Sequence, residues 1–186
     1  FNSRTLAEIA RDKCLASSIF DKVIISSDDP FFKELVNCKQ VEFMQRTEQL
    51  AGDDATTDMV IDFFFEELPS CETILWVNSV SPLQSIEDIK NCGTCLHDPN
   101  VDCVMAINTL YQHCSISNKP INFNPTSPFE KTQDLEPIQR FIYSCMGWRR
   151  ETYQKSRMEG FKGLFPGNMS LVEVSMLAGM LIKYEE

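Results

Sequence analysis

Four short apolar runs restrict the folds open to this chain: "KVIIS" from Lys22 to Ser26, Val41 to Met44, Thr73 to Val77, and Val101 to Ile107. The first is β-branched and does not alternate, as in a strand buried on both faces. Between the runs lie segments with helical spacing. Arg4 to Ser17 carries Leu6, Ile9, Ala10 and Cys14 on one face, and Thr56 to Leu68 carries Val60, Phe63, Phe64 and Leu68. Pro30 opens a helix to about Asn37, and Ile86 to Leu96 forms another. The order α-β-α-β-α-β-α-β predicts an α/β fold with a mainly parallel sheet and crossover helices.

Beyond Ile107 the pattern loosens. "NKPINFNPTSPFEKTQDLEP" is polar and proline-rich, and 108–137 reads as an insertion on a single domain over 1–186. Ile138 to Met146 is expected as a strand, Trp148 to Lys155 as a short helix, Ser170 to Val174 as a last strand and Met176 to Tyr184 as a closing helix. The net charge of −10 argues against a broad footprint on nucleic acid or anionic membrane. No apolar run reaches the roughly 20 residues of a membrane span. The chain starts at Phe1 rather than Met, so upstream residues are expected.

In an open parallel sheet, ligands bind beyond the carboxyl ends of the strands. The loop after Met44 holds Arg46, suited to a phosphate or a base edge, or to an ion pair with Glu42, Glu48 or Asp53. Thr56 or Thr57 is a helix N-cap. The loop after Val77 offers Asn78, Ser79, Ser81 and the N–H groups of a helix start, an anion site by geometry. Asp28 and Asp29 are metal ligands or an N-cap before Pro30. The eight cysteines lie mostly inside apolar patterns, which reads as reduced thiols in an intracellular, cytoplasmic protein, with the nucleus also open in an animal. Cys92-Gly93-Thr94-Cys95 admits zinc or redox chemistry. It lacks a matching second pair and sits late in a helix, so packing is the simpler reading.

Taken together, the loops resemble the acylneuraminate cytidylyltransferases, the CMP-sialic acid synthetases and their bacterial relatives. "ISSDD" is similar to that family's Ser-Thr-Asp strand end, and "QRTEQLAGDDATTD" to its Arg-Pro-x-x-Leu-Ala-x-Asp-x-Ala-x-Thr loop. "NSVSPLQSIEDI" resembles Gln-x-Thr-Ser-Pro-Leu-Arg with an acidic helix start, and "VDCVMAI" the strand Asp-Ser-Val-x-Ser-Val. "INFNP" and "TQDL" look like the sugar-side segment of the animal enzymes. The resemblance implies a Rossmann-like, three-layer nucleotidyltransferase fold with a protruding dimerisation or sugar-side segment at 108–137. It implies transfer of CMP from CTP to a nonulosonic, sialic-acid-type sugar, with release of pyrophosphate and Mg2+ on the phosphates. By position Arg46, Ala55, Thr57, Asn78 and Ser81 face the nucleotide, and Gln133 and Arg140 the sugar. CTP, an acidic sugar and a second copy of the chain are the implied partners.

The departures are specific. The family opens with a first strand and a Gly/Ser/Lys-rich phosphate loop, and this sequence starts just after it. Asn78 stands where the pattern has glutamine, and Gln84 where it has arginine. The metal-binding Ser-Ile-Asp-Ile-Asp is here "SLVEVS", with Val172 and Val174 at the carboxylate positions. Asp28, Asp29 and Asp134 are the substitutes at hand; without them the metal site is dead. Two readings besides the enzyme therefore stand: an inactive homologue serving as a nucleotide-binding or scaffolding subunit, and an unrelated α/β binding module.

Overall fold

The computed structural model describes residues 4–160 and 164–182. Helix α1 (Leu6–Ser17) starts from a capping box in which Thr5 and Glu8 satisfy each other's backbone N–H. Strands β1 (Val23–Ser27) and β2 (Val41–Gln45) pair in parallel, with a 3-10 turn at Pro30–Leu35 between them. Helix α2 (Thr57–Glu67) is capped by Thr56 and leads to β3 (Thr73–Val77). Helix α3 (Ile86–His97) has a second capping box, Ser85 with Asp88, and is followed by β4 (Cys103–Leu110). After an excursion come β7 (Ile138–Arg149), α4 (Arg150–Met158) and β8 (Met169–Glu173). The excursion carries the hairpin β5 (Ser115–Ile116) and β6 (Lys119–Pro120).

A four-stranded sheet in the order β3-β7-β4-β8 forms the middle layer. β4 and β8 run parallel, while β7 is antiparallel to both β3 and β4. Thus β3, β4 and β8 share one direction, and only β7 opposes them. Alternation along β4 sends Val104 and Ala106 to one face and Cys103, Met105 and Ile107 to the other. The first face packs on Ile89, Cys92 and Leu96 of α3, and the second on Ile61 and Phe65 of α2 and Tyr153 of α4. The result is a three-layer α/β/α domain. The β1–β2 ladder joins this core through Val77, which packs with Cys14, Val23 and Val41. Among the described residues β1 is hydrogen-bonded only to β2, and β3 only to β7.

Three features differ from the sequence expectations. The helix expected from Pro30 to Asn37 is a 3-10 turn ending at Leu35, because Val36 is already extended. Where a closing helix is expected from Met176 to Tyr184, the chain makes a 3-10 turn, Met176–Gly179, and Met180 is already extended; residues 183 and 184 lie outside the described set. The sheet neighbours differ as well. Strand direction follows from crossover helices, but β7 returns from the excursion and enters between β3 and β4, so the ladders on both its sides are antiparallel.

The end of β7 locks the layers together. Arg149 and Arg150 project to opposite faces, as consecutive residues leaving a strand do. Arg149 donates to Leu96 O at 2.8 Å and Asp98 O at 2.9 Å, the carbonyl end of α3. Arg150 donates to Phe65 O at 2.7 Å and Cys71 O at 2.6 Å near the carbonyl end of α2, and lies 4.7 Å above the Phe65 ring. Cations at helix C-termini complement both the free carbonyls and the macrodipole. Arg150→Ala is expected to cost about 2–3 kcal/mol, read as a lower urea midpoint at unchanged slope. A loss below about 0.5 kcal/mol would mean that the cap is dispensable.

Candidate functional site

The carboxyl ends of β1, β2, β3, β4 and β8 define the rim where a ligand is expected. At β1 and β2, Arg46 follows its strand directly and its backbone N–H donates to Ser27 O at 2.9 Å. Its guanidinium is 3.9 Å from the Asp28 carboxylate, a different partner from Glu42, Glu48 or Asp53. The Arg46 Nε is buried and donates to nothing among the described residues. Asp29 is the N-cap of the 3-10 turn, accepting from Phe31 N at 2.9 Å. Ala55 donates to Gly52 O at 3.0 Å, and Thr57 is the first residue of α2, the cap being Thr56. Thr56 and Thr57 line an open depression of about 490 Å³ with Asp58, Arg157 and Leu164. There Arg157 pairs with Asp62 at 2.6 Å and Asp58 at 3.5 Å; burial pushes the Asp58 carboxyl up, against the pull of Arg157.

The loop after β3 is more closed than its sequence suggests. Asn78 engages both ends of its amide with the chain: Nδ2 donates to Tyr143 O at 3.2 Å and Oδ1 accepts from Val80 N at 3.2 Å. Ser81 is fully buried, and its hydroxyl has no partner among the described residues. Gln84 is 1 % exposed, donates to Asn78 O at 3.2 Å and accepts from the Cys145 thiol at 3.3 Å. From outside, Lys13 of α1 donates to Pro82 O and Gln84 O, both at 2.6 Å. Burial pulls the Lys13 ammonium below its ordinary value, with Asp88 pulling the other way.

The start of α3 supplies its own anion. Asp88 accepts from Ser85 N at 2.7 Å, Ser175 N at 2.9 Å and Ser175 Oγ at 2.8 Å. Burial pushes this carboxyl up, but the Ser85 and Ser175 donors outweigh it and hold it below the usual carboxylate range. The helix N-terminus is thus already occupied by a side-chain carboxylate.

Elsewhere on the rim, Arg140 of β7 donates to Asn108 Oδ1 at 3.0 Å. Glu173 accepts from Thr109 N at 2.9 Å and Thr109 Oγ1 at 2.5 Å, while Val174 is buried in the core and Val172 packs against it. Gln133 and Asp134 are exposed in a 3-10 turn of the excursion. The structure therefore brings Arg46 to Asp28, and Asn78 to Ser81. Among the described residues no three of His, Cys, Asp and Glu gather as a metal-holding group. Asp28, Asp29 and Asp134 belong to no such group. All eight cysteines are free; Cys92 is in the core and Cys95 donates to Ser170 Oγ at 3.1 Å. No helix among the described residues is long and apolar enough to cross a membrane.

Sequence reasoning missed Lys13 and Asn108, and it treated Gln84 as a lost cation rather than a buried amide. The Ser85-x-x-Asp88 spacing was a readable signal for the capping box. Nothing local marks Lys13 or Asn108, whose partners are distant in the chain.

A family model described as "Cytidylyltransferase" matches residues 1–138. The N-acylneuraminate cytidylyltransferases of Streptococcus agalactiae serotypes III and Ia are each 24 % identical over 155 residues, 78 % of this chain and 37 % of the relative. The chain thus spans 37 % of the length of these curated relatives. Among solved structures, 4-diphosphocytidyl-2C-methyl-D-erythritol synthase from Anaerococcus prevotii superposes with a TM-score of 0.67 at 14 % identity, covering 96 % of this chain and 83 % of that one. A CMP:2-keto-3-deoxy-manno-octonic acid synthetase complexed with CTP gives 0.56 at 10 % identity, covering 90 % and 79 %. At such identities these structures establish the shared Rossmann-like nucleotidyltransferase fold.

Proposed function

Because the chain belongs to the cytidylyltransferase family, we propose that it acts in cytidylyl transfer from CTP to an acidic sugar of the nonulosonic type. A sugar hydroxyl attacks the α-phosphorus, the bond to the β-phosphate oxygen breaks, and pyrophosphate leaves. Such a transfer depends mainly on positioning and charge neutralisation. The observation that carries the proposal is Arg46. It stands at the joined ends of two parallel strands, with its Nε buried and unspent and its pairing to Asp28 long, at 3.9 Å. That leaves donors for a phosphate or the cytosine edge. Ala55 follows it on the same loop, and Thr57 opens the helix that ends the loop. Mg2+ enters the proposal only as the companion of the triphosphate, since this ion commonly uses few protein carboxylates; no residue's role below depends on it.

A second reading, a nucleotide-binding subunit without turnover, draws on the third loop. The amides of Asn78 and Gln84 are engaged at both ends by internal hydrogen bonds, and the positions in and just after β8 that carry carboxylates in the family motif hold packed valines. The test separates the two. The full-length protein is incubated with CTP, Mg2+ and a panel of nonulosonic acids, and pyrophosphate is measured. Turnover supports the enzyme; a thermal shift with CTP but no pyrophosphate supports the binding subunit; neither result sinks both. Arg46→Ala is expected to weaken CTP at least about tenfold by calorimetry, with little change in thermal stability. Unchanged affinity would remove Arg46 from the nucleotide site.

The proposal includes pairing of two copies through the excursion. Its Asn122 amide ties Cys114 N, Gln112 O and Glu136 O together within 2.9 Å, which gives the segment a shape of its own. Ile116 and Phe129 are 67 % and 85 % exposed on it. Sedimentation of the full-length protein reads the pairing, and a monomer at micromolar concentration overturns it.

A further inference from the structure

We infer that Asn108 is a positioning residue: it seats the Arg140 guanidinium on the rim of the sheet to receive the carboxylate of an acidic sugar. The inference rests on the proposed function for its choice of substrate class, and on geometry for the rest.

Asn108 ends the fully buried stretch of β4 and is 0 % exposed. Its Nδ2 donates to Val174 O at 2.7 Å, with longer contacts to Ile107 O at 3.2 Å and Ser175 O at 3.3 Å. Three carbonyls around one end of the amide fix which end is nitrogen. The Oδ1 is thereby presented to Arg140 Nη2, at 3.0 Å. Gly179, in the 3-10 turn that follows β8, leaves room for the cation. A Cβ there would lie 3.1 Å from Arg140 Nη2, 3.0 Å from Ile142 Cδ1 and 3.5 Å from Asn108 Oδ1. Asn108 and Gly179 thus shape one seat for the guanidinium.

The seat holds a cation without neutralising it. Among the described residues Arg140 pairs with no carboxylate, although the chain carries 27 acidic residues against 17 basic ones. Glu173, on β8 at the far side of β4, is occupied by Thr109. One N–H of the fork is spent on a neutral amide, and the others remain for a planar anion. The segment past Gly179 then runs to the third loop, where Ile182 N donates to Val80 O at 2.8 Å, so the seat and that loop are joined.

The test is calorimetric binding to the full-length protein, with N-acetylneuraminic acid, its methyl ester and CTP as probes. Arg140→Gln and Asn108→Ala are each expected to weaken the acid about tenfold, to leave the ester unchanged and to leave CTP unchanged. The double variant should be no weaker than either single one, because Asn108 acts through Arg140. Gly179→Ala, which crowds the guanidinium without removing a buried amide, should show the same selective loss if Asn108→Ala fails to fold. Loss of CTP affinity in place of acid affinity would assign the seat to a phosphate and overturn the inference. Equal affinity in all variants, or no acid binding by the parent protein, would overturn it too. Acid binding that depends on Arg140 in a protein blind to CTP would leave the inference standing and remove the proposed transfer.

Discussion

Gln84→Arg, which restores the arginine of the family motif, is expected to destabilise the protein by about 3–5 kcal/mol, the range for an uncompensated buried charge. The glutamine is 1 % exposed, and both ends of its amide are engaged, with Asn78 O and the Cys145 thiol. An arginine there would place a cation in a closed seat whose backbone carbonyl already binds the Lys13 ammonium at 2.6 Å. Gln84→Met, close in size and uncharged, should cost only about 1 kcal/mol. Urea unfolding of the two variants gives the comparison. An arginine variant as stable as the methionine one would mean that the loop opens to solvent. The loop is thus rebuilt around a neutral residue, and returning one motif position does not return the site.

Asp88→Ala carries a loss of about 2–3 kcal/mol at neutral pH, the range for hydrogen bonds to a charged group. The carboxylate accepts three hydrogen bonds from Ser85 and Ser175 and faces Lys13. Its removal breaks one half of the α3 capping box, takes the acceptor from the Ser85 and Ser175 N–H groups, and leaves Lys13 without its acidic neighbour. The effect has a pH signature. The donors hold the folded carboxyl below its ordinary value, so its contribution is complete above the unfolded value of about 4. It is lost as pH falls through the lower, folded value. The advantage of the parent over Asp88→Ala should be constant from about pH 7 to 5 and shrink below about pH 4. A gap that persists in acid would assign the loss to packing rather than charge.

Much of the fold was legible because it rests on local chemistry. Thr73 to Val77 reads as a strand from its composition and is one. Thr56 or Thr57 reads as a cap because a hydroxyl before a helical face satisfies a free N–H, and Thr56 does so for Met59. Val172 and Val174, read as standing at the family's carboxylate positions, pack in the core, while Glu173 between them turns to Thr109, as strand alternation requires. The candidate site was legible only at Arg46, whose loop position follows from connectivity. Its partner Asp28 lies on another loop, and no pattern selects it over Glu42 or Asp53. Asn78 and Ser81 read as ligand-facing because polar residues at a helix start resemble an anion site. In three dimensions one is bonded internally and the other is buried.

The sequence by itself determined the alternation of strands and helices up to β4, the shared direction of β3 and β4, and membership of the cytidylyltransferase family. All of these depend on periodicity and ordered motifs, which are properties of neighbouring residues. Only the tertiary structure decided that β7 lies between β3 and β4, because crossover rules set strand direction and leave the place of a late antiparallel strand open. Only it decided which polar groups are spent. Asn108 binds a carbonyl 66 residues away and orients a guanidinium 32 residues away. Hydrogen bonds compete for a limited number of donors and acceptors, and that competition is settled by spatial neighbours, which no stretch of sequence contains.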